Sequence, residues 1–434
     1  MKRRLLPILM TLVLVCALPI WAAFVTSGDV TNPLVCTAGA TSPPDNAATR
    51  LKSAISNGGT VQLTEDIEIS ETLVVTRDVT LDLNGHVLKM TGDGSVLYVK
   101  KDGPNTVTLT ITDSRPQNPH TGSYADLPAG GVITGGKGPN VTGIYYDYVG
   151  GAVFLEKDTT LKLEGGTLTV NSGSSIYIDG ATLVMSGGTI TGKTVGVHNN
   201  VGTFTMTGGR ITGRSDRGVY VYNGNMTMSG TAYIGENPNA RKEDIYVYES
   251  DHKHTDLSVT GGTIAGKVRI VFLESLGPTQ EELKAAANSV VKEQGVFDGH
   301  IKVEKGTSGT CVDYNSVNFI DEVAKTRTLK LVLQPNAVEE PETPATVNGR
   351  EFMYWTKEGA SEAWDFNTVI EVPLTLYAVR TPASSSGGYY YHPTTDTKAD
   401  DAKGSPKTAD PGVALYAALS LLSLTGLTCT AKKR

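Results

Sequence analysis

Apolar and polar residues alternate in short runs along most of the chain, and glycine, asparagine, aspartate and serine separate the runs. Because the side chains of a β-strand point alternately to opposite faces, this period of two predicts strands joined by turns. A phrase of the form Met-Ser-Gly-Gly-Thr-Ile-Thr recurs at 163–169, 185–191, 206–212 and 259–265, with a worn copy at 228–234. The equivalent glycines are Gly166, Gly188, Gly209, Gly230 and Gly262. A repeat of about 21 residues predicts stacked structural units of one kind.

One unit is too small to bury its own apolar face, so we expect a solenoid in which neighbouring units bury one another. Apolar residues at equivalent positions of successive units predict three inward-facing ladders. The first ladder holds Ile176 and Ile178, Val195 and Val197, Val219 and Val221, and Ile245 and Val247. The second holds Leu161 and Leu163, Leu183 and Met185, Phe204 and Met206, Met226 and Met228, and Leu257 and Val259. The third holds Leu168, Ile190, Ile211 and Ile264. Three ladders predict three short sheets.

A coil of about 21 residues with three sheets resembles the right-handed parallel β-helix of the pectate-lyase-like superfamily. The resemblance covers residues 45–275 and includes Thr80-Leu-Asp-Leu-Asn-Gly-His86, which is similar to early coils of β-helical bacterial surface proteins. It implies an all-β fold for this region. Polysaccharide lyases and glycoside hydrolases share the fold, so an enzyme is one function that the resemblance implies.

Helical spacing of apolar residues replaces alternation at both ends of the predicted stack. One helical pattern begins at Asp45 and stops at Asn57-Gly58-Gly59, which predicts a helix over the open end of the first coil. After the last repeat, Thr279 and Glu282 fit a capping box at the start of a second helix. Residues 276–333 are therefore predicted to form a C-terminal cap or a small α+β unit.

Aromatic residues recur in three phrases further along the chain: Gly349-Arg-Glu-Phe-Met-Tyr-Trp355, Trp364-Asp-Phe-Asn-Thr368 and Leu374-Thr-Leu-Tyr-Ala378. These phrases resemble the internalin-type B repeat, which implies a small β-grasp-like module over residues 334–380. Trp355 and Trp364 are expected either in the core of this module or as a ligand platform. Residues 381–404 are rich in Ser, Gly, Thr, Pro and Asp and predict a linker that crosses the cell wall.

The start of the chain has the layout of a secretory signal peptide. Lys2, Arg3 and Arg4 precede an uncharged apolar run that ends at Trp21, and two alanines follow. We therefore expect a signal peptide at 1–23 and a disordered leader at 24–44. An uncleaved anchor is the alternative.

The end of the chain has three parts: Ser405-Pro406-Lys407-Thr408-Ala409, an uncharged run at 413–431, and a basic tail. The run is long enough to be a transmembrane helix, with the tail on the cytoplasmic side. The ending resembles the sorting signal of Gram-positive surface proteins, which implies that a sortase cleaves after Thr408 and transfers the protein to peptidoglycan. Ser405 and Ala409 depart from the Leu-Pro-x-Thr-Gly pattern, so the sortase class stays open. A plain membrane anchor is the alternative.

Charge and cysteine content narrow the expected partners. The net charge of −7 becomes more negative when both ends are removed, so nucleic acid is not expected as a partner. Cys36 and Cys311 are the cysteines that would remain, either as two thiols or as one disulfide staple. A monomer is expected.

No arrangement of side chains in the sequence is typical of catalysis. Charged residues at outward positions are Asp82, Asp179, Arg210, Asp216 and Arg217. The last three could form a small cluster or could be solvated turn residues. His252 and His254 could project from one side of a strand as metal ligands, with a solvated loop as the alternative. The sequence contains no phosphate-binding loop or nucleophile elbow, and we predict no catalytic residue, metal or cofactor.

Outward positions between the residues of the first ladder form an aromatic strip. They hold Phe154, Tyr177, Gly196, Tyr220 and Tyr246, and Tyr222 and Tyr248 extend the register. The six aromatic residues are candidate glycan-binding residues, because sugar rings stack on aromatic side chains. A ladder that stiffens the outside of the solenoid is the alternative. Between Asp113 and Tyr148 the repeat is lost except at 131–135, which predicts a loop excursion bearing Tyr145, Tyr146 and Tyr148.

These features predict a secreted surface protein, anchored to the cell wall, that binds or displays a ligand such as a glycan or a host surface. A polysaccharide lyase or glycoside hydrolase on the same fold is one alternative. A purely structural stalk is the other, and burial of the aromatic strip by the excursion would favour it. Binding is the leading hypothesis, because no carboxylate or calcium arrangement typical of those enzymes is apparent.

Overall fold

The computed structural model describes residues 46–138, 150–213, 216–235, 243–251, 256–291, 296–297, 299–306 and 310–383. The predicted signal peptide, leader and sorting signal lie outside these ranges, as do the linker from residue 384 on, Tyr145, Tyr146, Tyr148, His252 and His254. In the described ranges, no helix combines the length and the apolar character needed to cross a membrane.

Each coil contributes one strand to each of three sheets, and strands of successive coils pair in parallel. Sheet A consists of β1 (Gly59–Gln62), β4 (Val79–Asp82), β7 (Val107–Thr112), β10 (Thr159–Leu163), β13 (Thr182–Met185), β16 (Thr203–Met206), β19 (Asn225–Met228) and β22 (Leu257–Val259). Sheet B consists of β2 (Ile67–Ile69), β5 (Val87–Met90), β8 (Val132–Thr134), β11 (Thr167–Thr169), β14 (Thr189–Gly192), β17 (Arg210–Gly213), β20 (Tyr233–Ile234), β23 (Thr263–Ile264) and β25 (Val296–Phe297). The coil strands of sheet C are β3 (Leu73–Val75), β6 (Leu97–Val99), β9 (Gly150–Leu155), β12 (Ser174–Asp179), β15 (Val195–Asn200), β18 (Arg217–Tyr222), β21 (Ile245–Glu249), β24 (Lys267–Phe272) and β26 (His300–Lys305). The stacked parallel strands form a β-helix.

The cores of sheets A and B follow the predicted ladders. In sheet A, Leu183 pairs with Phe204, and both side chains are fully buried. In sheet B, Ile190 pairs with Ile211, and these side chains are also fully buried. The second and third ladders are therefore confirmed, because parallel register places equivalent residues of successive coils on one another.

The first ladder, in sheet C, is shifted by two residues in one coil. The register partner of Ile176 is Val197, not Val195, so the predicted alignment of β15 is wrong. Asn199 then takes the inward position that the prediction gave to Val197. Alternation of apolar residues alone could not reveal this shift, since it favours valine over asparagine in the core.

Asn199 fits the core because the backbone satisfies its carboxamide. Its amide nitrogen donates to the carbonyl oxygens of Gly202 and Asn225, and its oxygen accepts from the N–H of Gly202 at 3.0 Å. A fully buried amide with these partners avoids the cost of an unpaired polar group. It also ties the turn after β15 to the next coil.

The recurring glycine phrase forms the turn from sheet A to sheet B. Between β13 and β14, Gly188 has a φ of +74°, in the left-handed region that glycine adopts at least cost. A Cβ atom on Gly187 would lie 2.2 Å from the carbonyl oxygen of Glu164 in the preceding coil. The backbone conformation of the turn therefore requires Gly188, and the close stacking of the coils requires Gly187.

Helices lie at both ends of the stack, as predicted. Helix α1 (Ala47–Asn57) contacts β1, β2 and β3 of the first coil and buries Leu51 and Ile55. Helix α2 (Gln280–Val290) contacts β22 and β26, and Thr279 and Glu282 form the predicted capping box at its start. Short 3-10 turns occur at Gly122–Tyr124 and Glu274–Leu276.

After α2, strands β25 and β26 extend sheets B and C in parallel past residue 275. The chain then continues sheet C with β27 (Cys311–Asp321), β28 (Thr326–Leu333), β29 (Phe352–Lys357) and β30 (Leu374–Arg380). Strand β27 is antiparallel to β26 and β28 and parallel to β30. Trp355 is buried in a separate apolar core with Phe319 and Leu376, and Trp364 packs against it. Both tryptophans therefore belong to the packing of this segment.

A buried ion pair, here called the C-terminal ion pair, joins the ends of β27 and β30. Arg380 Nε donates to Asp321 Oδ2 at 2.9 Å, and the two side chains are 1% and 2% exposed. The backbone N–H groups of Val323 and Ala324 also donate to Asp321. Burial acts to raise the pKa of Asp321, but these partners outweigh burial and hold the pKa below its ordinary value.

Candidate functional site

Six rings lie one above another on the outer face of sheet C. This ring column consists of Tyr98, Phe154, Tyr177, His198, Tyr220 and Tyr246, on β6, β9, β12, β15, β18 and β21. Neighbouring ring centroids are 4.6 to 5.3 Å apart. One ring per coil follows from the parallel register, and rings at this spacing attract one another.

His198, and not Gly196, lies between Tyr177 and Tyr220. The imidazole is the register partner of both tyrosines. A Cβ atom on Gly196 would lie 2.6 Å from the carbonyl oxygen of Gly218, so this glycine lies where two coils approach closely. The predicted interruption of the aromatic strip is therefore wrong, and its cause is the same two-residue shift of β15.

The middle of the ring column is buried although its side chains point away from the coil core. Phe154, Tyr177 and His198 are 5%, 4% and 7% exposed, whereas Tyr220 and Tyr246 are half-buried. Burial, with a smaller contribution from Asp179, raises the pKa of Tyr177 to about 12. Phe154 and Tyr177 are stacked with their planes 10° apart, and the low exposure of the three rings leaves little ring surface for a ligand.

A second outward column on the same face is more accessible. This polar column consists of Asp179, Asn200, Tyr222 and Tyr248, which are register partners on β12, β15, β18 and β21. All four side chains are half-buried. The amide nitrogen of Asn200 donates to Asp179 Oδ1 at 2.9 Å. The rings of Tyr222 and Tyr248 are stacked, with centroids 5.7 Å apart and planes 7° apart.

Hydrogen bonds from the next coil hold Tyr222 in place. Ser250 Oγ lies 3.3 Å from the hydroxyl oxygen of Tyr222 and donates to it. Ser250 is itself fixed, because its N–H donates to the side chain of Asn223 at 2.7 Å. The ring of Tyr222 is thus ordered by both stacking and hydrogen bonding.

Two arginines border the ring column. The guanidinium of Arg217 lies 4.1 Å from the ring centroid of Tyr246, and that of Arg269 lies 5.6 Å from it. Glu243 lies between the two guanidinium groups, at 3.7 and 3.5 Å. Cation–π contacts and ion pairs together make this end of the face a charged network.

Glu304 is the centre of this network on β26. It accepts hydrogen bonds from Arg269 and Lys302, each at 2.8 Å, and its side chain is 9% exposed. Burial acts to raise the pKa of Glu304, but the two cations outweigh burial and hold the pKa below its ordinary value. The hydrogen bond to Glu304 raises the pKa of Lys302. A cleft of about 220 Å³ lies beside these residues.

The other charged residues singled out in the sequence have separate partners. Asp82 accepts hydrogen bonds from Gln62 and from two backbone N–H groups, so it stabilises a turn. Arg210, on sheet B, lies 4.0 Å from the ring centroid of Tyr233. Arg217, on sheet C, pairs with Asp216 at 2.8 Å. Arg210 and Arg217 are thus on different sheets.

Several residues of this face were not found by sequence reasoning. Asn200, Glu243 and Arg269 were missed because strand alternation does not show which polar residues meet between coils. Spacing of the repeat would have located Asn200 and His198, which follow Asp179 and Tyr177 by one coil. Within the described ranges, no group of three His, Cys, Asp or Glu side chains is arranged to hold a metal ion. Cys311 is an exposed thiol.

Comparisons of the chain with protein-family models, with curated proteins and with solved structures found no match. The functional argument therefore depends on the geometry of sheet C and on the sequence motifs.

Proposed function

We propose that this chain is a secreted surface protein, anchored to a Gram-positive cell wall, whose β-helix binds a glycan or host surface through the outer face of sheet C. The proposal includes a right-handed helix of the pectate-lyase-like kind. The polar column is the observation that supports it most. Half-buried, stacked tyrosines next to a carboxylate and an amide combine ring surface with hydrogen-bonding groups, which is the composition expected of a sugar-binding face.

The raised pKa values of Arg269 and Lys302, two cationic side chains on this face, favour binding over a lyase reaction. A lyase needs a Lys or Arg that accepts a proton. Burial acts to lower the pKa of Arg269, but its hydrogen bond and ion pair with Glu304 raise the pKa above its ordinary value. The pKa of Lys302 is raised by the same carboxylate. Both side chains are therefore poor bases.

The binding face is tested by a glycan array probed with the purified protein, followed by titration of each glycan that binds. Combining Tyr222→Ser with Tyr248→Ser is expected to weaken binding at least about tenfold, since each ring contributes about 0.5–1.5 kcal/mol by stacking. Tyr233→Ser is the matched control, because it removes a half-buried ring from sheet B. Equal affinities of the double variant and the wild type would refute the binding face.

An assay for reducing ends and unsaturated uronates on the same glycans tests the enzyme alternative. Binding without product formation is the expected result. Product formation that follows protein concentration would instead assign the chain to the lyases or hydrolases.

Anchoring is supported by the motif Ser405–Ala409, the uncharged run at 413–431 and the basic residues after it. In this proposal, the B-repeat-like module at 334–380 and the linker at 381–404 lie between the β-helix and the sorting motif in the sequence, and the linker crosses the wall. Because sortase forms an acyl bond at the motif threonine, Thr408→Ala is expected to leave the protein in the membrane fraction or the medium. If muramidase released no wild-type protein ending at Thr408, the wall linkage would be refuted.

A further inference from the structure

In the polar column, a short side chain, Asn200 on β15, lies next to a long aromatic one, Tyr222 on β18. One side of the Tyr222 ring stacks on Tyr248. On the other side, its register partner is Asn200, whose amide nitrogen donates to Asp179 and is therefore directed toward β12. One face of the Tyr222 ring is thus covered by a ring, and the other borders a short polar side chain. This arrangement of Tyr222, Asn200 and Asp179 is called the Tyr222 step.

The floor of the Tyr222 step offers hydrogen-bond acceptors. Asp179 Oδ1 accepts the hydrogen bond from Asn200, and no described residue donates to Asp179 Oδ2 or to Asn200 Oδ1. Both side chains are half-buried. Glu156 directly follows Leu155, the partner of Ile178, so a second carboxylate lies one coil away from Asp179. Because no described residue donates to Asp179 Oδ2 or to Asn200 Oδ1, both oxygens can accept hydrogen bonds from ligand hydroxyl groups.

The cations of the charged network at the far end of this face are paired with carboxylates. Arg217 pairs with Asp216, and both Arg269 and Lys302 pair with Glu304. None of these three can therefore compensate an anionic ligand at the Tyr222 step, which would meet two carboxylates, Asp179 and Glu156. One cation lies nearby, because the side chain of Lys157 packs beside Gly180, so negative charge still predominates at the step. Since like charges across an interface are unfavourable, the step fits a ligand that donates hydrogen bonds and carries no negative charge.

Building on the proposed glycan-binding function, we propose that the Tyr222 step is a subsite for an uncharged pyranose ring with two neighbouring hydroxyl groups. The sugar ring stacks on the side of Tyr222 that faces Asn200, and its hydroxyls donate to Asp179 and Asn200. Ser250 already holds the hydroxyl of Tyr222, so little ordering of the ring remains to oppose binding.

The test is isothermal titration of the purified protein with neutral hexasaccharides of glucose, galactose and mannose and with the hexamer of galacturonic acid. At least one neutral hexasaccharide is expected to bind. The acidic hexamer is expected to bind at least about tenfold more weakly at low salt, where repulsion is least screened. Asp179→Asn should weaken neutral binding about tenfold, the loss typical of a hydrogen bond to a charged acceptor, and should reduce the preference for neutral sugars. Tyr222→Phe keeps the ring that stacks on Tyr248 but loses the hydrogen bond from Ser250, so affinity should fall by at most about threefold, whereas Tyr222→Ser should lose binding.

The outcomes separate the subsite from the wider proposal. If Tyr222→Ser abolishes binding while Asp179→Asn leaves all affinities unchanged, the glycan-binding face stands and the subsite is wrong. Tighter binding of the acidic hexamer than of the neutral hexasaccharides would also show that the subsite is wrong and leave the glycan-binding face standing. If no hexasaccharide binds, the subsite is wrong, and an array without any hit removes the wider proposal as well. Thermal melting monitors the fold, and Asn200→Ser tests the same hydrogen-bonded pair if Asp179→Asn does not fold.

Discussion

The coils and the segment after residue 310 bury their side chains in different ways. In the coils, an inward residue such as Leu183 packs between its equivalents Leu161 and Phe204, and the same contact is made again in the next coil. In the C-terminal segment, Trp355 and Phe319 pack in a single core that no other part of the described chain repeats. The coil core is therefore redundant, whereas each contact of the C-terminal segment is made once.

This difference teaches where each region should be sensitive to change. In a stack, the stability of one coil depends on its own packing and on its two interfaces with neighbouring coils. In the C-terminal segment, the buried ion pair has no equivalent that could replace it. The two regions can be followed separately, because both tryptophans in the described ranges belong to the C-terminal segment. In a protein that begins after the predicted signal peptide and so lacks Trp21, tryptophan fluorescence reports on the segment. Far-ultraviolet circular dichroism reports mainly on the coils.

The largest expected effect is in the coils. Ile190→Asp places a carboxylate without a partner in the core of sheet B and is expected to lower the free energy of unfolding by about 5 kcal/mol. Thr189→Asp, one residue earlier and half-buried, should cost much less. Urea unfolding followed by circular dichroism measures both. Equal losses for the two variants would contradict the register of β14.

The next effect is in the C-terminal segment. Arg380→Met leaves the buried carboxylate of Asp321 without its cation and is expected to cost about 3–5 kcal/mol. Adding Asp321→Asn should recover much of this loss, since the amide is neutral and its oxygen still accepts from the N–H groups of Val323 and Ala324. The fluorescence transition should shift more than the circular dichroism transition. A coincident shift of both would show that the segment and the coils unfold as one unit.

Asn199→Val sharpens the comparison inside the coils. Valine restores the apolar type found at Val221 in the next coil but leaves the backbone groups of Gly202 and Asn225 without the carboxamide. We expect a loss of about 2–3 kcal/mol, because unsatisfied buried groups cost more than the added methyl groups contribute. Val221→Ala, a pure loss of apolar contact in the same column, is the control. Unchanged stability of Asn199→Val would mean that the ladder needs only apolar contact.

The smallest expected effect is a dependence on pH that has opposite signs at Asp244 and at Asp321. Burial raises the pKa of Asp244, next to β21, from 3.8 to about 6. As pH rises, the carboxyl group of Asp244 loses its proton at a lower pH in the unfolded chain than in the folded protein. Its contribution to stability is therefore highest below about pH 4 and declines as pH rises to about 6. Asp244→Asn should therefore gain about 2 kcal/mol over the wild type at pH 7 and little at pH 4. Equal gains at both pH values would show that ionisation of Asp244 is not the cause.

The C-terminal ion pair has the opposite dependence. The pKa of Asp321 is lowered in the folded protein, so its stabilising contribution is full above about pH 4 and is lost as pH falls through the folded pKa. At about pH 3 the midpoint of the fluorescence transition should therefore lie at a lower urea concentration than at neutral pH. Arg380→Met should lose this acid sensitivity.

The sequence was informative wherever a contact repeats. Ladder residues such as Leu183 and Ile190 were predictable, because a fixed spacing places equivalent residues on one another. The shift of β15 was not predictable, since it depends on backbone groups that reach Asn199 only in the folded coil. The pairing of Asp321 with Arg380 could not be predicted either, because it joins residues 59 positions apart that occur once.

Some features of the candidate site could likewise be predicted from the sequence, and others could not. Spacing and alternation placed the tyrosines on the outer face of sheet C, and the register partners Tyr220 and Tyr246 confirm this placement. Burial of Phe154 and Tyr177 could not be read from spacing, because it depends on what covers the face. The pairing of Asn200 with Asp179 required the register of β15, which alternation had misaligned.

The connections between sheets suggest how such a chain can change during evolution. Most connections between sheets are short, such as the one from Gly192 to Val195 between β14 and β15. In one coil two of them are long: β7 ends at Thr112 and β8 begins only at Val132, and β8 ends at Thr134 and β9 begins only at Gly150. Insertions at the corners on either side of sheet B thus leave the parallel pairing of the coils intact. Duplication of a whole repeat adds a coil. Each duplication lengthens the protein by one strand spacing, about 4.8 Å. The length of the β-helix can therefore change during evolution while the residues of sheet C that form the proposed binding face are kept.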